Sequence, residues 1–389
     1  MTRLVDGTIE YMLQLDYIID SFSKTKVRKM KPFIRNLLRM SVYQIKYMDA
    51  VPDSAVCNEA VKLAKRHKFA QLSGFVNGVL RNIARNIDSV QFDTLSIRYS
   101  MPQWIVDRFV AAYGEKKAEE IFKAFHNKST ISIRTNLTRC TPDELRATLE
   151  AEGVTVTAID ELNYAFVISG FDYLNGLQSF RDGLFYVQDI SSMLVAQTAA
   201  PKKGDYVIDV CAAPGGKSTH IAELLQGSGH VLARDLTDNK VDMIEENIDR
   251  HGLNNMSAEV WDATVFDADS AGKADILICD LPCSGLGVLG RKKDIRYKMT
   301  PESVDELAAL QRQILDTVHT YVKPNGVLVY STCTIDEAEN EDNVRWFIEK
   351  HPEFELDKSF AEGTGMKQIL PGEHGSDGFF IARFIKSKL

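Results

Sequence analysis

Cysteines are the residues of this chain whose type and spacing could do chemistry. The sequence contains Cys57, Cys140, Cys211, Cys279, Cys283 and Cys333. In a long chain without a recognisable leader, thiols are expected to stay reduced, which leaves nucleophilic catalysis or metal binding as their use. No C-x2-C pair occurs, and the spacing of four between Cys279 and Cys283 matches no common zinc signature. We therefore expect no metal site and favour nucleophilic chemistry.

Cys283 and Cys333 differ from the other cysteines because each follows the end of a predicted strand. Cys283 stands in the turn DLPCSG, and Cys333 stands in the turn YSTCT. Cys279 lies inside its predicted strand and is interpreted as a small core residue. In open α/β sheets, ligands bind beyond the carboxyl ends of the parallel strands. The sequence therefore predicts two thiols side by side at such a crevice.

The elements that must position these thiols alternate between strands and helices from Gly204 onward. This alternation is typical of a doubly wound parallel sheet with helices on both faces. Its strands are predicted at 206–210, 230–235, 258–261, 275–280, 327–331 and 379–385. Upstream, residues 4–86 are predicted to be helical and 89–102 to form a linker. A small β-α-β-β unit follows, in which Ser132 and Arg134 occupy the exposed side of a half-buried strand.

A glycine loop and three aspartates predict a nucleoside site at the same edge of the sheet. In DVCAAPGGKS, Gly215 and Gly216 let the backbone approach a ligand, and the next helix offers free N–H groups. The loop is neither G-x-G-x-x-G nor a Walker loop, which disfavours a nucleotide phosphate. Asp235, Asp262 and Asp280 each end a strand, and the first lies at the distance where a carboxylate takes ribose hydroxyls. S-adenosylmethionine fits this pattern better than NAD.

A methyl donor beside thiols points to C5 of cytosine, which cannot take a methyl group from a sulfonium unaided. A thiolate that adds to C6 makes C5 nucleophilic, and a base later removes the C5 proton as the thiol leaves. Asp280 is placed to stabilise charge on the ring near N3 and the exocyclic amine. The thiolate must reach C6 from the ring face, so a flipped or single-stranded cytidine is expected.

Composition and charge narrow the class of protein. The 389 residues are 44% hydrophobic and 26% charged, which is ordinary for a folded chain and excludes a disordered or fibrous one. No apolar run reaches the roughly 18 residues of a membrane span, so we expect a cytoplasmic protein. Residues 1–90 hold 15 Lys and Arg against 8 Asp and Glu, whereas the remainder holds 31 against 46. A basic segment joined to an acidic body suggests an attachment that binds a polyanion.

The chain from Phe185 onward resembles the RNA cytosine C5-methyltransferases. The resemblance rests on the ordered motifs DVCAAPGGKS, RDLTDNK, WDA, DLPCSGLGVLGRKKDIR, YSTCTIDEAENEDNV and LPGEHGSDGFF. It implies that Cys333 is the nucleophile and that Cys283 helps to release the product. It also implies that S-adenosylmethionine is held by Asp235, Asp262, Asp280 and the loop of Cys211, Ala212, Ala213, Pro214, Gly215, Gly216 and Lys217.

The upstream sequence resembles the RsmB (Sun) family of ribosomal RNA methyltransferases in particular. PDSAVCNEAVKLAKRHKF and GFVNGVLRNIAR are similar to the NusB-like RNA-binding domain of that family. The resemblance implies a NusB-like α-helical domain at 1–88, an α+β RNA-binding connector at 100–180 and a Rossmann-like class I methyltransferase domain at 181–389. In the family the helical domain begins before the residues that match the start of this chain, so we expect its first helices to be missing.

The resemblance also implies the substrate and partners. We expect one cytosine of 16S ribosomal RNA to be methylated, free or in an assembling small subunit, by a monomer that needs no metal or membrane. Basic residues after the Pro-Cys turn are expected to hold the RNA backbone, namely Arg291, Lys292, Lys293 and Arg296. Two alternatives stay open: the same chemistry on transfer RNA, or a ribosome assembly factor without turnover.

Overall fold

The computed structural model describes residues 2–127 and 130–388. Its contacts divide the chain into two compact units. The helical unit comprises Met1–His126 together with Arg291–Lys298, and the catalytic unit comprises Asn127–Gly290 together with Met299–Leu389. A short stretch from the C-terminal half of the sequence therefore packs with the helical unit. In the part of the chain that is described, no helix is long and apolar enough to span a bilayer.

The helical unit confirms the helical pattern predicted for residues 4–86. Its helices are α1 (Thr2–Glu10), α2 (Met12–Phe22), α3 (Pro32–Tyr47), α4 (Asp53–Arg66), α5 (Ser73–Asn86), α6 (Leu95–Arg98), α7 (Gln103–Tyr113) and α8 (Glu115–Phe125). The face of α5 predicted from its spacing is buried through Val76, Leu80 and Ile83. The predicted linker contains α6, whose first turn is capped by the Thr94 hydroxyl accepting from the Ile97 N–H.

The stretch Arg291–Lys298 contributes a buried cation to the helical unit. Arg296 is fully buried, and its guanidinium donates to the backbone carbonyl of Glu10. Lys293 pairs with the Glu10 carboxylate. The prediction that Arg296 holds an RNA backbone is therefore wrong, because protein groups enclose its side chain. Arg291 and Lys292 are exposed, and their contact with RNA stays a prediction.

The catalytic unit begins with a four-stranded antiparallel sheet in the order β2-β3-β1-β4. Its elements are β1 (Ile131–Thr135), α9 (Pro142–Ala151), β2 (Thr155–Ile159), β3 (Leu162–Ser169), α10 (Gln178–Arg181) and β4 (Phe185–Val187). The predicted capping box of α9 is present: the Thr141 hydroxyl accepts from the Glu144 N–H, and the Glu144 carboxylate accepts from the Thr141 N–H at 2.8 Å. Ile133, Leu145 and Phe166 form the apolar core of this sheet.

Strand β1 is buried on both faces, which corrects the prediction of a half-buried strand. Arg134 is 0% exposed, and its guanidinium pairs with the buried carboxylate of Glu223. It also donates to Gln188 Oε1 at 2.9 Å and to Thr219 Oγ1 at 3.1 Å. These bonds replace the water that an arginine on a strand normally requires, so alternation alone mistook a buried ion pair for an exposed face.

The large sheet has the order β10-β12-β9-β8-β5-β6-β7, with β11 paired to β12. Its elements are α11 (Ile190–Ala199), β5 (Tyr206–Asp209), α12 (Gly216–Leu224), β6 (His230–Asp235), α13 (Asp238–His251), β7 (Met256–Val260), β8 (Ala274–Asp280), α15 (Pro301–Val318), β9 (Val322–Thr332), α16 (Glu341–Lys350), β10 (Phe354–Leu356), β11 (Met366–Ile369) and β12 (Phe379–Lys386); α14 (Ile295–Lys298) belongs to the helical unit. Strands β5 to β9 pair in parallel, and β12 runs antiparallel to β9. The sheet is thus mixed rather than wholly parallel. The carboxyl ends of β5, β6, β8 and β9 share one edge, as predicted.

Candidate active site

The glycine loop joins β5 to the start of α12. Gly215 has φ +99°, which an L side chain rarely adopts, and its N–H donates to the Ala212 carbonyl at 2.6 Å. A Cβ on Gly216 would approach the Tyr186 ring to 3.0 Å. The Pro214 carbonyl accepts from Asn247 Nδ2 at 2.9 Å. The loop conformation therefore favours glycine at both positions, most strongly at Gly215.

Asp209 supports this loop from below and was not among the predicted site residues. It is fully buried at the end of β5, where it accepts from the Ser218 hydroxyl and from the Cys211 N–H at 3.4 Å. Burial raises the pKa of Asp209 to about 7. Burial also raises the pKa of the Cys211 thiol, so this predicted cofactor residue contributes shape rather than a nucleophile.

Asp235 ties the end of β6 to the glycine loop. Its side chain is nearly buried, and Oδ2 accepts from the Ala213 N–H at 2.9 Å. Oδ1 accepts from the Leu236 N–H and from Lys240 Nζ, each at 2.8 Å. The structure therefore brings Asp235 and the loop together, as the pattern of strand ends predicted.

Lys217 and Asp280 form an ion pair that links the glycine loop to the end of β8. Lys217 Nζ donates to Asp280 Oδ2 at 2.6 Å, and the Ser331 hydroxyl donates to Oδ1 at 2.7 Å. Burial alone would lower the pKa of Lys217, but the Asp280 charge and hydrogen bond outweigh it and raise that pKa. Two predicted site residues thus contact each other directly.

Asp262 differs from the other predicted aspartates in its hydrogen bonds, which lie within its own turn. It is exposed after β7, and its Oδ1 accepts from the Thr264 hydroxyl at 2.7 Å and from the Thr264 N–H at 2.8 Å. These hydrogen bonds lower the pKa of Asp262. Its bonds thus lie within its own turn, and its role in holding a cofactor stays a prediction.

The two predicted catalytic thiols lie together at the ends of β8 and β9. The Sγ atoms of Cys283 and Cys333 are 3.3 Å apart. The contact with Cys333, burial and the nearby Glu339 carboxylate all raise the pKa of Cys283. Cys283 is therefore a protonated thiol at neutral pH, held beside a second sulfur that lies at a strand end.

Close backbone packing fixes the two cysteine turns against each other. The Gly287 N–H donates to the Cys333 carbonyl at 3.1 Å, and the Gly378 N–H donates to the Gly287 carbonyl at 2.9 Å. A Cβ on Gly287 would approach the Gly378 oxygen to 2.3 Å and the Cys333 oxygen to 2.8 Å. Only glycine permits this approach, so the residue is required for the distance between the sulfurs.

Glu339 is a buried acid that the sequence analysis did not single out. Its carboxylate accepts from the Ser284 N–H at 2.8 Å and from the Ser284 hydroxyl. It also accepts from Gln311 Nε2 at 3.0 Å, and the same amide donates to the Pro282 carbonyl at 2.9 Å. Glu339 thus connects the turn that carries Cys283 to the segment after Cys333. Burial raises the pKa of Glu339.

Comparisons with known proteins agree with this arrangement. Residues 196–385 match the profile of 16S rRNA methyltransferase RsmB/F, residues 1–85 match the NusB family, and residues 101–171 match the RsmF/B-like ferredoxin-like domain. The chain is 38% identical to the probable ribosomal RNA small subunit methyltransferase B of Bacillus subtilis, over 99% of this chain and 90% of that protein. The chain belongs to the RsmB/F family of 16S rRNA methyltransferases. This family depends on S-adenosylmethionine.

Further relatives of the RsmB/F family and solved structures support the same assignment. The probable methyltransferase B of Synechocystis is 32% identical over 99% of this chain and 90% of its own length. The crystal structure of PH0851 superposes with a TM-score of 0.85 at 27% identity, covering 99% of this chain and 89% of that one. The structure of NSun6 from Pyrococcus horikoshii with SFG gives a TM-score of 0.68 at 25% identity, covering 74% and 99%. These matches confirm the predicted fold: a NusB-like helical domain, an α+β connector and a methyltransferase domain.

Proposed function

We propose that this RsmB/F-family enzyme methylates C5 of a cytosine in 16S ribosomal RNA through a covalent adduct with Cys333. The observation that carries the proposal is the 3.3 Å separation of the Cys283 and Cys333 sulfurs at neighbouring strand ends. One thiol suffices to activate C6, so a second thiol at this distance serves another step of the same reaction.

The proposed first step is the addition of the Cys333 thiolate to C6 of the base. The new sulfur–carbon bond displaces the electrons of the C5=C6 double bond towards C5, which then takes the methyl group. Asp280 would accept from the exocyclic amine and stabilise charge near N3, because carboxylate oxygens keep further lone pairs beside their bonds to Lys217 and Ser331. Loss of the C5 proton then restores the double bond and expels the Cys333 thiolate.

We assign Cys283 to the release step. Its raised pKa keeps it protonated until the departing Cys333 thiolate forms at its side. In one relay, Cys283 passes its proton to the departing Cys333 sulfur and takes the C5 proton in its place, so that both sulfurs end protonated. Neither sulfur has to move far, because the two lie in contact before the reaction.

The residues of the crevice fit S-adenosylmethionine, which would supply an electrophilic methyl group. Gly215 and Gly216 give the loop a backbone without side chains, which a ligand can approach closely. Asp235, Lys217 and Asp280 provide negative and positive groups that can pair with the charged amino acid part of the cofactor. The carboxylates can also accept hydrogen bonds from the ribose hydroxyls. The NSun6 structure was solved with SFG, an analogue of S-adenosylmethionine, which supports this assignment. Cys211, Ala212, Ala213, Pro214 and Asp262 complete the proposed cofactor set.

We further propose that the division at 1–88, 100–180 and 181–389 is functional, with the first two segments holding RNA and the third performing catalysis. The profile matches at residues 1–85, 101–171 and 196–385 support it. The basic charge of residues 1–90 provides the attraction for a polyanion. The proposed enzyme acts as a monomer in the cytoplasm on free RNA or an assembling subunit.

Trapping of the covalent intermediate tests the two cysteine roles. Cys283→Ala should accumulate a protein–RNA adduct that survives denaturing gels, whereas Cys283→Ala combined with Cys333→Ala should form none. Cys140→Ala removes a half-buried thiol elsewhere in the catalytic unit and should form no adduct. An adduct that persists in the double variant, or none in Cys283→Ala, would contradict the assignment.

Bisulfite sequencing tests the substrate. A strain that lacks this gene should lose protection of one cytosine in 16S ribosomal RNA and regain it with the wild-type gene. Loss at a transfer RNA position instead would assign the same chemistry to another RNA. Unchanged protection throughout would contradict an enzymatic role.

A further inference from the structure

A cluster of two histidines and one aspartate lies at the C-terminal ends of α15 and α16. Asp316 is in the last turn of α15, His319 directly follows that helix, and His351 directly follows α16. One side-chain nitrogen or oxygen from each lies within 4.8 Å of the other two. We propose that this cluster, the helix-end site, binds a first-row transition-metal ion such as zinc.

His351 supplies the observation that points to a ligand. Its side chain is only 7% exposed, and in the described part of the chain its buried Nε2 makes no hydrogen bond. That nitrogen lies 3.2 Å from Asp316 Oδ1. Buried polar atoms are nearly always satisfied, so an unbonded nitrogen beside a carboxylate calls for a partner that both can share. A cation between them satisfies the two groups together.

His319 is oriented as metal-binding histidines are. Its Nδ1 lies 2.9 Å from the Asp316 backbone carbonyl, which fixes the proton on Nδ1 and leaves a lone pair on Nε2. The ring packs against His351 at a tilt of 36°, with centroids 3.9 Å apart. Nε2 faces Glu353, whose Oε1 lies 3.6 Å away and adds negative charge to the helix-end site.

The charges around the helix-end site are compatible with a cation. Burial lowers the pKa of both histidines, which favours the neutral imidazole that a metal requires. Lys350 Nζ lies 2.8 Å from Asp316 Oδ2 and leaves Oδ1 for the ion. Lys386 also faces His319, and its Nζ donates to the Val322 carbonyl at 2.8 Å.

The donor set selects the class of metal. Two imidazoles and one carboxylate suit zinc, nickel or copper, whereas magnesium and calcium prefer oxygen ligands throughout. Zinc–nitrogen bonds of about 2.0–2.1 Å put tetrahedral ligand atoms roughly 3.3 Å apart. Side-chain movements of about 1 Å would therefore bring the three ligand atoms to this spacing. The cysteine spacing gave no hint of this site, because its ligands come from two helix ends far apart in sequence.

A metal at this position would hold α15 and α16 together. The same two helices supply Gln311 and Asn343, which are joined by a hydrogen bond of 2.7 Å. Gln311 in turn donates to Glu339 below the cysteine turns. The helix-end site would therefore have a structural role: it would link the two helices that support the cysteine turns and would not form a second catalytic centre.

Cobalt and zinc titrations of the untagged, chelator-treated full chain test the proposal. Cobalt should give visible d–d bands without the ultraviolet thiolate-to-cobalt band that cysteine ligation produces, and zinc should displace it. Zinc should also raise the melting temperature by about 3 °C or more. His319→Gln should weaken zinc binding at least about tenfold. The matched control is His230→Gln, which alters a half-buried histidine bonded to Ser257 and should leave affinity unchanged.

Two results would overturn the helix-end site. One is a cobalt spectrum dominated by the thiolate band, which would place the metal on the cysteines. The other is unchanged zinc affinity in both His319→Gln and Asp316→Asn. Because both side chains are partly exposed, the variants should fold, and circular dichroism of the metal-free proteins checks this.

Discussion

The crevice has two halves that are held together in different ways. The cofactor half, comprising the glycine loop with Asp235 and Lys217, is bound by the ion pairs Lys240–Asp235 and Lys217–Asp280. The cysteine half, comprising Cys283, Cys333 and their turns, is held by backbone approaches and by the hydrogen bonds of two buried acids, Glu339 and Asp336. Ion pairs therefore fix the cofactor half, whereas neutral hydrogen-bond donors hold Glu339 in the cysteine half.

This difference has a chemical consequence for the nucleophile. A thiolate forms most readily beside a cation. The Lys217 ammonium of the cofactor half interacts electrostatically with Cys333, whereas the buried Glu339 carboxylate helps to raise the pKa of Cys283. The sulfonium of bound S-adenosylmethionine would add positive charge to that of Lys217. The two halves are therefore coupled electrostatically through Lys217 and Cys333.

The largest expected effect is a loss of methyl transfer without a loss of cofactor binding, which distinguishes the two halves. Cys333→Ala removes the attacking sulfur and should reduce methyl transfer by at least about a thousandfold. Affinity for S-adenosylmethionine should change less than about twofold, because no bond of the cofactor half is lost. Methylation assays and titration calorimetry measure the two quantities. Transfer above about 1% of wild type would remove Cys333 from the nucleophile position.

A second prediction concerns the buried ion pair between Arg134 and Glu223. Arg134→Met removes the cation that pairs with buried Glu223, in the helix after the glycine loop. The remaining neighbour His251, 3.4 Å away, has a pKa lowered by burial and supplies little charge, so the loss should be about 3–5 kcal/mol of unfolding free energy in urea. Adding Glu223→Gln should restore part of the loss. Arg181→Met, on an exposed arginine of the same unit, should change stability by less than about 0.5 kcal/mol. Equal losses in Arg134→Met and Arg181→Met would refute the importance of the buried pair.

A third prediction concerns Asp235, which binds the glycine loop within the cofactor half. Asp235→Asn loses the charge that pairs with Lys240 and weakens the bond to the Ala213 N–H. Affinity for S-adenosylmethionine should fall about 10- to 30-fold, which is about 1.4–2 kcal/mol. Asp238→Asn changes an exposed aspartate in the next helix and serves as the matched control. Comparable losses in both variants would point to general charge rather than to Asp235.

The sequence predicted the crevice well because strand ends are local features. Asp280, Cys283 and Cys333 each follow an apolar run, and parallel strands bring such ends together without further information. Arg134, Arg296 and Glu339 were missed or misplaced because their partners are distant in sequence. An alternating pattern cannot distinguish an arginine that faces water from one that faces a buried carboxylate.

A signal for the buried acid was nevertheless present after Cys333. Glu339, Asn343, Val344 and Phe347 recur at the spacing of one helix face, and all are buried. By charge alone, nothing distinguishes Glu339 within the acidic run that extends from Asp336 to Asp342. Its helical periodicity separates the inward Glu339 from the exposed Glu337 beside it.

The smallest expected effect tests whether the cysteine half needs the charge of Glu339 at all. Glu339→Gln can still accept from the Ser284 N–H and should cost no more than about 1 kcal/mol at low pH. Because burial raises the pKa of Glu339, its ionisation costs stability as pH rises above the ordinary value of 4.5. Wild type should therefore lose stability relative to Glu339→Gln as pH rises above about 4.5 in urea titrations. The opposite trend would be a loss of stability of Glu339→Gln relative to wild type as pH rises. It would mean that the carboxylate charge stabilises the two cysteine turns and that both halves of the crevice depend on ion compensation.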